Sequence, residues 1–207
     1  MNNIDKFFIE SNSPEDFSVK YFSYLNQVLM GINVDEIGVF IRLLLERRES
    51  GNTVFFIGNG GSASTSSHFA NDISIGTNSY EVPFKVISLV DNISIITAIA
   101  NDYGYDEIFS RQLEVLASSG DLVVGISASG NSKNVIKAFE YSNRNGIDTF
   151  AITAFDGGIL KKIATYGIHV PTASKEYGPA EDAHMVLDHL IGAYLGRYIK
   201  SKTVNNY

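Results

Sequence analysis

TVFFIGNGGSAST, residues 53–65, passes from a continuous apolar run into three glycines and an asparagine, and then into a hydroxyl-rich segment. Glycine loses more backbone freedom on folding than any other residue, so a cluster of it needs a local reason. One such reason is a backbone that must lie close to a ligand. The apolar run itself has the pattern of a strand covered on both faces. Similar short runs recur at FKVISL (84–89), DLVVGIS (121–127), DTFAIT (148–153) and YGIHVP (166–171), with helical segments between most of them. Continuous apolar strands separated by helices predict an α/β fold, a doubly wound five-stranded parallel sheet.

Upstream, YFSYLNQVLMGI (21–32) and VDEIGVFIRLLLERRESG (34–51) place apolar residues at three- and four-residue spacing, and the second ends in Gly51. Residues 16–50 are therefore expected to form two helices. A last long helix is expected from about Pro179 to Lys200, because proline suits a first helical turn and Glu181 and Asp182 suit its positive end. The tail SKTVNNY is expected to fray. No repeat, linker or low-complexity segment divides the chain, so one domain over residues 1–207 is expected, with residues 1–51 as a helical extension.

Composition narrows the function classes. With 207 residues, 44% hydrophobic and 19% charged, the chain is long enough to bury one sizeable core. A net charge of -7 gives no long-range attraction to nucleic acid or to an anionic membrane, so neither is an expected partner. Any anionic ligand must be held by local donors. The absence of cysteine excludes disulfides and thiolate metal sites. The opening MNNIDKFFIESNSPEDF has acids and asparagines where a signal peptide needs a basic and then an apolar stretch, and no apolar run approaches the roughly 20 residues of a membrane span. The expected address is the cytoplasm.

In parallel sheets of this kind ligands bind beyond the carboxyl ends of the strands, near a topological switch point. Two loops have suitable chemistry: Gly58-Asn59-Gly60-Gly61-Ser62 and Ser127-Ala128-Ser129-Gly130-Asn131-Ser132. Each leads into a helix, whose N-terminus offers unpaired N–H groups and partial positive charge. The second adds the hydroxyls of Ser127, Ser129 and Ser132, enough to cradle a phosphate without lysine. Read without a ligand, these are ordinary strand-to-helix turns, with Ser132 as an N-cap. Neither has the spacing of a dinucleotide fingerprint or a Walker loop.

Ionisable groups follow the first loop. His68 and Asp72 are four residues apart and so share a helix face to within about 40°. Such a pair serves as an acid/base couple, as two metal ligands or as a plain surface hydrogen bond. In EDAHMVLDH, His184 and Asp188 are four apart and Asp182 and His189 seven apart, on different faces of the final helix. One site cannot take every charged group of that helix.

The two loops, together with HFAND (68–72), AIANDYGYDEIFSRQL (98–113), GISASGNSKNVIKA (125–138) and EDAHMVLDHL (181–190), resemble the sugar isomerase (SIS) domain family, and within it the phosphoheptose isomerases. The likeness spans nearly the whole chain, and SASGNSKNVIKA is its most specific part. It implies a flavodoxin-like sheet in a homo-oligomer, usually a tetramer, in which the N-terminal helices pack on neighbouring subunits and adjacent subunits build the sites. Carried over, Asn59, Gly60, Gly61, Ser62, Asp102, Ser127, Ser129, Ser132 and Glu181 would bind the sugar and its phosphate. Asp72 stands where the family has a catalytic glutamate and His189 where it has its catalytic histidine. His68, Asp72, Glu181 and His189 match positions that hold zinc in some members. The chain departs from the pattern at Asp72 for Glu, Glu181 for Gln, Gly178 for Asp and Gly76 for Arg.

The resemblance implies aldose–ketose isomerisation, most closely of sedoheptulose 7-phosphate to D-glycero-D-manno-heptose 7-phosphate in heptose or polysaccharide precursor synthesis. A carboxylate and a histidine of suitable pKa supply the proton transfers of such a reaction. The alternative is a non-catalytic phosphosugar-binding regulator, or an adaptor of the kind that associates with a replication initiator. A regulator needs the serines but not the His68, Asp72, Glu181 and His189 set.

Overall fold

Thr53–Gly58 (β1), Lys85–Ser88 (β2), Leu122–Ser127 (β3), Asp148–Thr153 (β4) and Tyr166–His169 (β5) pair in parallel in the order β2-β1-β3-β4-β5. These are the five runs read from the sequence. The order is the flavodoxin-like one, whose direction reverses between β1 and β3. The computed structural model describes residues 1–204. Helix α4 (Gly61–Ser74) follows β1, and α5 (Ile93–Asp102), a short 3-10 turn (Tyr105–Glu107) and α6 (Ser110–Leu116) lie between β2 and β3. The remaining connections are α7 (Lys133–Arg144), α8 (Leu160–Ile163) and the long α9 (Tyr177–Val204), after β3, β4 and β5.

Strand side chains alternate between two apolar layers, as the period of two requires. Val54, Phe56, Val124 and Phe150 face α3, α4 and α9, whereas Phe55, Ile57, Val123 and Ala151 face α6, α7 and α8. Every residue of β3 is buried, which is why its sequence shows no polar alternation.

Three helices, not two, precede the sheet: α1 (Asn3–Glu10), α2 (Pro14–Met30) and α3 (Val34–Ser50). Helix α1 was not expected because none of its eight residues is fully buried and its start is held by Asn2 Oδ1 accepting from Asp5 N (2.8 Å) and by the distant Glu176 accepting from Asn3 N (2.6 Å). Helix α3 ends at Gly51 in the left-handed conformation (φ 72°), the stop read from the sequence. It packs on the sheet of its own chain through Phe40, Leu43 and Leu44. The apolar surface left open by the extension lies mainly on α1 and α2, at Phe8, Ile9, Val19, Phe22 and Met30. Helix α9 begins two residues before Pro179 and continues through Ser201–Val204, where fraying was expected, because no glycine or proline stops it there. Residues 205–207 of the tail lie outside the described residues. Among those described, no helix is long and apolar enough to cross a membrane.

Candidate active site

Because β1 and β3 are neighbours at the switch point, the loops that leave them lie side by side. Asn59 and Asn134 join them through reciprocal amide hydrogen bonds of 2.9 Å, and the Tyr105 hydroxyl donates to Asn59 Oδ1 (2.9 Å). The glycines of the first loop have separate causes. Gly60 adopts φ 55°, a conformation that side chains resist, as it caps α4. A Cβ on Gly61 would lie 2.5 Å from Glu181 Cδ, so the carboxylate at the start of α9 rests directly on this backbone. Glu181 has its pKa raised, first by desolvation and then by neighbouring Asp182.

In the second loop, Ser127 and Ser132 face one another with hydroxyls 3.2 Å apart, and Ser127 Oγ accepts from Gly130 N (3.2 Å). Ser132 occupies the N-cap position of α7 but makes no capping bond, so its hydroxyl is not consumed by the helix. The loop is held from behind by a Gly157–Gly158 turn, where Leu160 N donates to Gly130 O (2.9 Å) and Ile159 N to Asn131 Oδ1 (3.2 Å). The loop sets serine hydroxyls at a helix N-terminus, a setting suited to phosphate.

Helices α4 and α9 run side by side in the same direction, with Gly61 against Glu181, Asp72 against Gly192 and Thr77 against Gly196. This register brings His68 and Asp72 of α4 up to Asp188 and His189 of α9. One donor atom from each of the four lies within 4.8 Å of every other. His68 Nε2 is 3.6 Å from Asp72 Oδ1 and 3.9 Å from Asp188 Oδ2, and the two imidazole rings are 5.0 Å apart, edge to face. Asp188 is fully buried, and neither of its oxygens has a hydrogen-bond partner among the described residues. Burial, and then the like charge of Asp72, pushes its pKa up to about 7. His184, one turn earlier, is equally buried, and desolvation lowers its pKa to about 4. A cleft of about 410 Å³ opens beside Asp72, lined by Gly76, Gly192, Gly196, Arg197 and Lys200.

A family model for the SIS domain matches residues 20–154, well over half of the chain. The chain belongs to the SIS domain family. Phosphoheptose isomerase of Akkermansia muciniphila is 39% identical over 159 residues, covering 76% of this chain and 82% of that protein. Phosphoheptose isomerase of Sulfurimonas denitrificans is 34% identical over 201 residues, 97% of this chain and 100% of that protein. The structure of phosphoheptose isomerase from Neisseria gonorrhoeae superposes with a TM-score of 0.79 at 27% identity, over 88% of this chain and 98% of that one.

Within this SIS domain the residues read from the sequence fall into three places. Asn59, Gly60, Gly61 and Ser62 form the first loop and its helix start, with Glu181 against it, and Ser127, Ser129 and Ser132 form the second. His68, Asp72 and His189 meet in the cluster. Glu181 is not one of that cluster's four groups; Asp188 is. The cause is the parallel register of α4 and α9, which sets Glu181 beside the first residue of α4, about 10 Å of helix before His68. Asp102 closes α5, exposed, and accepts from Asn101 Nδ2 (2.8 Å), with no bond to the loops or the cluster among the described residues. Where the family pattern has an aspartate, the Tyr21 hydroxyl lies 3.0 Å from the Cβ that Gly178 lacks and donates to Asp182 (2.5 Å). Asn134, Tyr105 and Asp188 were missed. Asn134 was legible only as part of the motif, and Asp188 was placed with His184 on a face separate from His189.

Proposed function

We propose that this chain is a phosphosugar aldose–ketose isomerase that interconverts sedoheptulose 7-phosphate and D-glycero-D-manno-heptose 7-phosphate, supplying heptose for polysaccharide precursors. The observation that carries this reading is the meeting of His68, Asp72 and His189 across α4 and α9, on the helix that leaves the glycine loop. A protein that only senses a phosphosugar needs the serine loop but has no use for that cluster. The phosphoheptose isomerase relatives support the same reading over most of the chain.

The serine loop and the α7 N-terminus hold the phosphate, and Glu181 over Gly61 faces the sugar hydroxyls. Asp72 removes the proton from the carbon beside the carbonyl and returns it to the neighbouring carbon. His189 carries the hydroxyl proton between the two oxygens, so the pair performs both transfers of an enediol mechanism. Asn71 Nδ2 donates to Asp72 Oδ1 (2.9 Å) and helps to orient that carboxylate, with His68 3.6 Å away. A zinc ion suits the same residues: two imidazoles and two carboxylates converge, and a buried carboxylate without partners is the group that a cation would satisfy. His68, Asp72 and His189 would hold it, and bound there it supplies Lewis-acid stabilisation of negative charge. The site works in the cytoplasm and in a homotetramer, with Phe8, Val19 and Phe22 of α1 and α2 covered by neighbouring copies.

Ser129→Ala and Ser132→Ala each remove a hydroxyl donor to a charged acceptor, worth about 1–3 kcal/mol, or roughly 5- to 150-fold in Kd. Calorimetry should register that weakening with the fold intact, and unchanged phosphosugar affinity in both variants would take the loop out of the site. In solution, light scattering at micromolar concentration should give the mass of four chains, whereas a monomer would contradict assembly. Incubation of the protein with a panel of five-, six- and seven-carbon sugar phosphates, with and without chelator, tests the substrate. Preferred turnover of the heptose is expected, and preference for a shorter sugar would reassign it.

A further inference from the structure

The opening turns of α9 touch both loops of the site. Glu181 rests on Gly61 of the first, and the Tyr177 ring packs edge to face on Phe155 (5.1 Å), which leads into the Gly157–Gly158 turn behind the second. These turns are held from α2. Tyr21 and Tyr24, three residues apart and so on one face of that helix, each donate a hydroxyl hydrogen bond to a carboxylate at the start of α9: Tyr21 to Asp182 (2.5 Å) and Tyr24 to Glu176. Glu176 is buried, and its carboxylate also accepts from Ala173 N (3.0 Å) and Asn3 N (2.6 Å). Burial raises the pKa of both tyrosines, so both hydroxyls keep the proton that they donate.

These bonds act at one end of a helix of 28 residues that α4 already flanks, and that end is the one that carries Glu181. The chain does not enter it relaxed, because Lys175 holds φ 69°, a conformation that side chains resist. Gly178 leaves the space that the clamp needs, since a Cβ there would lie 3.0 Å from the Tyr21 hydroxyl. We propose that Tyr21 and Tyr24 are positioning residues of the sugar site: through Asp182 and Glu176 they fix the opening turns of α9, and so hold the Glu181 carboxylate over the glycine loop. The inference rests on the reading of Glu181 as the group that faces the sugar hydroxyls of an isomerase substrate.

Tyr21→Phe and Tyr24→Phe keep the rings and remove only the hydroxyls. In the protein carrying both changes, calorimetry should show sedoheptulose 7-phosphate bound about tenfold more weakly, the low end for losing a hydrogen bond to a charged group. Inorganic phosphate, which needs the serine loop alone, should stay within about twofold. Glu181→Ala should weaken the sugar at least as much, and adding both tyrosine changes to it should cost less than about twofold more, because the tyrosines act through Glu181. Tyrosines that only secure the fold would lower the urea midpoint and weaken both ligands or neither. Should the double variant fold poorly, each single Phe variant enters the same cycle, with about threefold expected. Wild-type sugar affinity in the folded Phe variants, a matching loss for inorganic phosphate, or losses that add to that of Glu181→Ala would overturn the inference. Binding without conversion by wild type would sink the isomerase reading and leave the cycle to decide this one; a wild type that binds no sugar phosphate would overturn both.

Discussion

Asp72→Asn and His189→Ala are each expected to lower kcat on sedoheptulose 7-phosphate by about 10²- to 10⁴-fold, the usual scale for losing a general acid or base. Substrate affinity should change far less, because the proposed phosphate site is at the start of α7 and neither variant alters it. Asp72→Asn keeps the size of the side chain and removes its negative charge, and with it its ability to take a proton. Steady-state kinetics with the folded variants would therefore read chemistry separately from binding. Full turnover in both variants would remove Asp72 and His189 from the reaction.

The second large effect concerns stability. Phe40 is fully buried on α3, stacked on Phe150 at 4.2 Å between ring centroids and edge-on to Phe56 and Phe69 at 6.5 and 6.3 Å. It therefore joins α3 to α4, β1 and β4. Phe40→Ala should cost about 3–5 kcal/mol, a large share of the 5–15 kcal/mol by which a domain of this kind is stable. Urea unfolding should show it as a lower midpoint with an unchanged slope. A change below about 1 kcal/mol would mean that α3 is an appendage to the core.

That prediction departs from what the sequence suggested about the N-terminal region. Periodicity located α3 and its Gly51 stop correctly, but it cannot say which surface an apolar stripe meets, and α3 covers the sheet of its own chain. The strands were readable because burial on both faces leaves a continuous apolar run, complete in β3. Helix α1 was not, because none of its residues is fully buried and its start is held in part by Glu176, far away in sequence.

The site divides in the same way. The loops were legible because turn chemistry is local: Gly60 takes a positive φ, and Ser127 and Ser132 bracket one short loop between β3 and α7. The cluster was legible only in part. Helix geometry correctly separates Asp188, which is buried, from His189, which is exposed. It does not show that α4 lies over the boundary between those faces, where His68 meets both residues. The close approach implied by the glycine loop was real, but at Gly61 the group pressed on the backbone is the Glu181 carboxylate of the same chain. Contacts between helices far apart in sequence depend on register, and a single sequence does not state register.

The most direct test of the central claim is an NMR time course of sedoheptulose 7-phosphate with the folded, zinc-supplied protein, run beside Asp72→Asn. Resonances of an aldoheptose 7-phosphate should grow in with wild type, and be suppressed by at least about 10²-fold with the variant. Binding of the sugar phosphate without any conversion by wild type would contradict the account and make the chain a phosphosugar-binding protein that does no chemistry.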